Sequence, residues 1–159
     1  MATIKVTEEV ELMLSKLQNN STKACRKALY EGAKVLADYM KTEIENLPTD
    51  DRSGAGAGTF QLNGIKKIQK RGLIESFGVA PFRENDGTIS THLGFDGYNN
   101  VKTATFPNGQ PNSMIARSVN SGTYFMQATP FIDRTRRQHA KAEERMEEVI
   151  REEVQKETN

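Results

Sequence analysis

The chain has no tryptophan, one cysteine, two histidines and five prolines in 159 residues. The lone Cys25 excludes an internal disulfide. His92 and His139 stand in different segments, so no Cys/His/Asp cluster has metal-ligand spacing. No apolar run approaches the roughly 18 residues that a membrane span needs. The first residues, Met-Ala-Thr-Ile-Lys-Val-Thr-Glu-Glu, lack the basic and apolar regions of a signal peptide, which points to a protein that starts in the cytoplasm. An excess of one charge is also missing. The 22 basic and 21 acidic side chains leave a net +1. A balance so near neutral gives no long-range field for DNA or an anionic membrane. Aromatics make up only 7% of the chain, so the core is modest and oligomerisation would be a natural supplement. The length suits one domain, expected to span 1–159.

What is present reads as helices around a few strands. Thr7, with Glu8 and Glu9 behind it, looks like a helix start, and Val10, Met13, Leu14 and Leu17 fall on one face. Asn19-Asn20-Ser21 breaks this segment, and Ser21 is placed to cap a second, longer helix. There Cys25, Ala28, Leu29, Gly32, Leu36, Tyr39, Met40, Ile44 and Leu47 recur at spacings of three and four, and Pro48 ends the run. Residues 48–59 carry Gly54, Gly56 and Gly58 and read as a mobile loop. No Gly-Lys-Ser/Thr follows them, which disfavours a phosphate cradle. Leu62–Ile68 reads as a short helix or irregular turn. Gly72–Ala80 and Thr88–Phe95 read as strands, the second with Ile89, Thr91, Leu93 and Phe95 on one face. Asn85-Asp86-Gly87 suits a hairpin turn between them.

Residues 97–113 form a second long loop, within which Val101–Phe106 could add a third strand. Met114–Val119 reads as a helical turn stopped by Asn120-Ser121-Gly122. From Asp133, a plausible cap, a charged helix is expected to run to about Lys156. Its apolar positions, Ala142, Met146, Val149, Ile150 and Val154, make a stripe too narrow for a widely buried helix. It suits a sheet edge or a neighbouring subunit. The expected fold is therefore α+β: a long N-terminal helix and a C-terminal helix packed on a small antiparallel β-sheet.

The polar residues offer no catalytic constellation. His92 alternates out of its strand's apolar face, and His139 sits among Arg134, Arg136, Arg137 and Lys141, so both read as surface residues. Cys25 lies on an apolar helix face, where a cysteine is usually core. Asp50-Asp51 pair two carboxylates, but in a glycine-rich loop they read as solvated. Arg134, Arg136 and Arg137 form the one basic cluster. Glu143, Glu144, Glu147 and Glu148 follow directly, as in an exposed helix laced by i,i+4 pairs. No catalytic, cofactor-binding or metal-binding residue is named, and the expectation is a non-enzyme without a cofactor. A small nucleic-acid-binding or regulatory module built on Arg134–Arg137 is the alternative, though no aromatics interleave with that cluster to stack on bases.

The most distinctive stretch is 113–132, Ser-Met-Ile-Ala-Arg-Ser-Val-Asn-Ser-Gly-Thr-Tyr-Phe-Met-Gln-Ala-Thr-Pro-Phe-Ile. A short amphipathic turn leads into Gly122-Thr123. Ala128-Thr129-Pro130-Phe131 follows, and the charged helix comes after it. With the long helix of Ser21–Leu47, the proline and glycine-rich turn behind it, and the Phe60–Ile68 stretch, this order resembles the HK97 gp10-like phage tail component family. The Pro-Asn-Gly-Gln-Pro loop departs from the shorter connection that the resemblance leads one to expect. The resemblance implies a structural virion protein that completes the tail or joins tail to head, as one subunit of a ring at the neck. It implies further copies of the chain and neighbouring head–tail connector, tail terminator or tail tube proteins as partners. DNA would be at most a passing cargo, and no membrane is involved. The protein would reside in the virion after assembly in the host bacterial cytoplasm. Gly122, Thr123, Ala128, Pro130 and Phe131 read as fold-holding residues. Candidate partner contacts are Arg134, Arg136, Arg137, Met146, Ile150 and Phe106. Deleting residues 140–159 is expected to weaken assembly more than it disturbs the isolated fold.

Overall fold

A computed structural model describes residues 2–4, 21–56 and 58–158. The helix expected from Thr7, with Val10, Met13, Leu14 and Leu17, lies outside the described residues. The chain folds as α+β. In order it contains β1 (Ala2–Ile4), α1 (Ser21–Glu45), α2 (Lys67–Ser76), β2 (Phe77–Val79), β3 (Arg83–Asn85), β4 (Thr88–Phe95), α3 (Asn112–Ser121), α4 (Phe131–Arg136) and α5 (His139–Thr158). It divides into two compact units, each discontinuous in sequence. Of the described residues, one comprises 39–56, 58–78 and 94–135, and the other 2–4, 21–38, 79–93 and 136–158.

The first unit is built on an apolar cluster that includes Met40, Ile44, Leu47, Ile65, Leu73, Ile115, Val119, Met126 and Phe131. Phe77 and Phe95 pack at its margin, and the Phe95 ring meets that of Phe131 edge-on at 6.1 Å. Helix α1 ends ahead of Pro48, and the Lys70 ammonium donates to the terminal carbonyls of Glu45 and Leu47. Lys67–Ser76 is helix, so the strand expected over Gly72–Ala80 shrinks to Phe77–Val79. Its Lys-Ile-Gln-Lys-Arg start consists mostly of good helix formers, and Gln69 reaches back to the Lys66 N–H at 3.0 Å. Gly72 disguised the helix. It occupies a point where an added Cβ would lie 2.7 Å from the Asn112 amide oxygen.

Asp50 corrects a second expectation. It is 8% exposed, not solvated. Its carboxylate accepts two bonds from the Arg52 guanidinium, at 2.9 and 2.7 Å, and the Asn63 N–H at 2.9 Å. The Arg52 guanidinium, followed by the Asn63 amide, holds the carboxyl well below the usual range. Asp51 is exposed and accepts the Lys67 N–H at the start of α2. The segment 97–111 has no strand at Val101–Phe106. Buried Asn99 organises it instead, its amide oxygen accepting from the Val101 and Gln110 N–H groups. Asn99 thereby does the work that strand pairing would do.

In the second unit, α1 and α5 run antiparallel, with Lys27 paired to Glu153 and Glu31 to Arg145. Ala142, Met146, Val149 and Ile150 are all at most 1% exposed. The narrow stripe of α5 is thus core of the chain itself, because Gly32 lets Met146 approach α1 closely. The truncation at residue 140 would remove these buried side chains, so the expectation that the isolated fold tolerates it is withdrawn. The single helix expected from Asp133 is two helices, broken at Arg137 and Gln138. The first already begins at Phe131, so Asp133 lies within its first turn and is not the cap. The His139 ring lies 3.1 Å from the Arg136 carbonyl at that break. Cys25 is only half-buried, and burial pushes its thiol pKa up, which keeps it protonated near neutrality.

Strand β4 lies between β1 and β2 in the sheet order, and β3 also pairs with it. Ile89, Thr91 and Leu93 are buried on one face, as their alternation dictates. Asp86 and Gly87, with φ of 49° and 79°, make the hairpin turn. Ala80 opposes His92, whereas Arg83 opposes Ser90, so the β2–β3 arm carries one extra residue at Pro81–Phe82. Proline has no N–H to give the ladder there. Thr91, fully buried opposite the bulge, donates its hydroxyl to the Ala80 carbonyl at 2.6 Å. His92 is half-buried, less open than its alternation implied.

Candidate functional site

The stretch 119–132 folds into one braced turn. Helix α3 stops at Gly122, whose φ of 76° favours glycine and whose N–H returns to the Ser118 carbonyl at 2.8 Å. Thr123 and Met126 exchange backbone bonds across a tight loop, and the Thr123 hydroxyl accepts the Phe125 N–H. Thr129 then donates to the Val119 carbonyl, and the Ala128 backbone passes within about 3 Å of where a Cβ on Gly122 would stand. The Asn120 side chain closes the turn. Its oxygen accepts the Ile132 and Asp133 N–H groups at 3.0 and 3.1 Å, and its NH2 donates to the Asp133 carboxylate at 3.0 Å. These bonds satisfy amides in the first turn of α4, which follows Pro130 and buries Phe131 completely.

The bracing pushes two aromatics outward. Tyr124 and Phe125 are 66% and 54% exposed, and their rings meet nearly at right angles with centroids 5.4 Å apart. Met126 between them and the core is buried and holds the tip down. Residues 50–56 and 58–61 back it. Leu62 donates to the Phe125 carbonyl at 2.7 Å, Gln127 donates back to Leu62, and the Gln61 amide donates to the Tyr124 carbonyl. The Phe125 ring covers Gly56, where a Cβ would stand 2.4 Å from the ring. The Arg52 guanidinium, held by Asp50, lies 4.5 Å over the Phe60 ring. Gly56, Thr59, Phe60, Gln61 and Tyr124 line a shallow depression beside the tip. An exposed Tyr, a Phe and an Arg on a braced turn have the composition of a protein-contact surface, where such side chains add area at low entropic cost.

The residues named from the sequence fall into four groups. Gly122, Thr123, Ala128, Pro130 and Phe131 do come together as the frame of this turn. Met146 and Ile150 are wholly buried, so they hold the second unit and are not a free contact surface. Phe106 is half-buried in a local turn, where its carbonyl accepts from Thr103 and Gly109. Arg134 pairs with Glu43 of α1 at 3.3 Å, not with a glutamate one turn along its own helix, while Arg136 and Arg137 are exposed. The helical pairing expected there belongs instead to Arg145 with Glu148 and Arg151 with Glu147. Sequence reasoning passed over Tyr124, Phe125, Phe60 and Arg52. The available signal was a pair of adjacent aromatics at a glycine-started turn, where apolar rings have no helical or strand period to bury them. Among the described residues, no group of His, Cys, Asp and Glu is arranged to hold a metal, and no helix is long and apolar enough to cross a membrane. No family model, curated protein or solved structure matches the chain.

Proposed function

We propose that this chain is a non-enzymatic phage structural protein that completes the tail or joins tail to head, as a subunit of a ring at the neck. The observation that carries the reading is the braced turn. The residues behind the resemblance form one hydrogen-bonded frame, and that frame presents Tyr124 and Phe125 to solvent. A ring needs two different complementary patches on each subunit. The aromatic tip, with Arg52 and Phe60 beside it, supplies one. Its partner is a neighbouring copy or an adjoining connector, terminator or tube protein.

The test is complementation of a phage that lacks this gene with a Tyr124→Ser, Phe125→Ser double variant. Both rings are more than half exposed, so the isolated variant should stay folded and lose about 1 kcal/mol, from the ring pair and the cover over Gly56. Production of infectious particles should nevertheless fall at least about tenfold, as loss of an aromatic anchor worth about 2 kcal/mol or more implies. Full complementation by the folded variant would remove the tip from the assembly surface.

A further inference from the structure

The first unit carries a second apolar patch, at the far end of α3 from the aromatic tip. Among its described residues, the exposed large apolar side chains fall in two places. One is the tip, with Tyr124 and Phe125. The other consists of Ile68 and Ile74 on α2 with Tyr98, at 43%, 50% and 66% exposure. Tyr98 bridges to Pro111, the residue ahead of α3, while the tip follows Gly122, which stops α3. A helix of ten residues, about 15 Å long, therefore lies between them. Ile68 and Tyr98 border one open cleft of about 290 Å³. That is roughly ten times the volume share of one water, enough for an aromatic ring.

The charges beside the two patches are complementary. At the tip, the Arg52 guanidinium commits Nε and Nη2 to Asp50, and its side chain is 54% exposed, which leaves Nη1 to donate outward. Asp50 is itself buried, and Asp51 is engaged at the start of α2, where it accepts the Lys67 N–H. At the other patch, Arg71, Glu75 and Asp96 line the cleft with one positive and two negative charges. Two different, complementary patches on one subunit are what a head-to-tail contact requires, and such contacts close into a ring when the rotation permits. We infer that the cleft bordered by Ile68 and Tyr98 receives the aromatic tip of the next copy. Tyr124 and Phe125 pack on Ile68, Ile74 and Tyr98, and Arg52 meets the carboxylates of Glu75 and Asp96. The occupant is a second copy because this chain carries both halves of the match, ring against ring and guanidinium against carboxylate. The inference rests on the assembly reading and names the second patch that reading requires. The two rings, already partly covered, bury less than about 500 Å², short of the roughly 800 Å² per partner of a stable pair. A single contact is therefore weak, with a Kd of roughly 0.1–1 mM.

The experiment mixes two variants of the whole chain, each missing one patch. The first carries Tyr124→Ser and Phe125→Ser and keeps the cleft. The second carries Ile68→Ser and Tyr98→Ser and keeps the tip. Each alone should sediment as a monomer. With the first isotope-labelled and the second added unlabelled, the amides of 68–75 and 96–98 should shift together in two-dimensional NMR and approach saturation near 1 mM, the order set by the contact's size. Unlabelled first variant should leave them in place. The inference is overturned if these amides stay unmoved up to about 1 mM, or move equally with the variant that lacks the tip. It is equally overturned if the second variant dimerises alone, since tip would then pair with tip. Complementation keeps this failure apart from failure of the assembly reading. The Ile68→Ser, Tyr98→Ser variant should lower the yield of infectious particles at least about tenfold, as the tip variant does. Full complementation by it, beside failure of the tip variant, overturns the cleft as the seat of the tip and leaves the assembly reading standing. Full complementation by both removes the two together.

Discussion

Replacing Gly32 by alanine tests how α5 is held. An alanine Cβ at this position would lie 2.6 Å from Met146 Cγ, 3.0 Å from its sulfur and 3.2 Å from the Ala142 carbonyl. Met146 is 0% exposed, and the carbonyl belongs to helix backbone, so neither neighbour has open space to move into. Overpacking of this kind costs about 3 kcal/mol at the upper end of its usual range. Alanine in a helix interior returns about 1 kcal/mol relative to glycine. The net is a loss of about 2 kcal/mol, or roughly 4–8 °C in melting temperature for a chain of this size. Met146→Ala alone should cost about 2–5 kcal/mol, because it leaves a cavity. The two changes should not add. The new methyl occupies space the shortened side chain vacates, so the double variant should be more stable than the sum of the single effects by about 1–2 kcal/mol. Denaturant unfolding followed by circular dichroism measures all three. If Gly32→Ala instead stabilises by about 1 kcal/mol, as bare helix propensity gives, and adds to Met146→Ala, the close packing of α1 on α5 is wrong.

Two further outcomes follow from named contacts. Asp50→Asn should lower the melting temperature at neutral pH, and the gap from the parent should close on acidification. The folded carboxyl has a depressed pKa. Its contribution is therefore complete above the unfolded value of about 3.9 and disappears as pH falls below that toward the folded value. Melts at neutral pH and at about pH 3 check this, and a gap that is constant with pH contradicts it. Asn120→Ala removes the acceptor for two amides of α4 and should cost about 2 kcal/mol. Asn120→Asp should not restore the loss, although aspartate caps helices as well as asparagine does, because a second carboxylate would then face Asp133. Urea titration of both variants separates these outcomes.

The parts of the fold that read directly from sequence are those where one periodicity decides. In α1, apolar residues at helical spacing lead to a terminating proline. In β4, alternation places Ile89, Thr91 and Leu93 on the buried face. Asp86-Gly87 marks the hairpin between β3 and β4. Reading failed where a distant residue sets the answer. Gly72 reads as the start of a strand until Asn112 is seen to need its space. The stripe on α5 looks too thin to bury until Gly32 on α1 lets Met146 in. Asp50 looks solvated until Arg52 and the Asn63 amide surround its carboxylate. The frame residues of the candidate site were legible, because glycine, proline and phenylalanine have fixed conformational and packing roles. What the frame displays was not. The turn that stands Tyr124 and Phe125 outward is tied by backbone bonds from Leu62 to Phe125, from Gln127 to Leu62 and from Thr129 to Val119, and no local pattern encodes those partners.

Electron microscopy of particles from a phage or induced prophage with a stop codon early in this gene tests the proposed role most directly. The account predicts DNA-filled heads beside separate tails of normal length, or, if the protein ends the tail, tails of uncontrolled length. Normal, infectious particles would contradict it and move the alternative of a small binding module into first place.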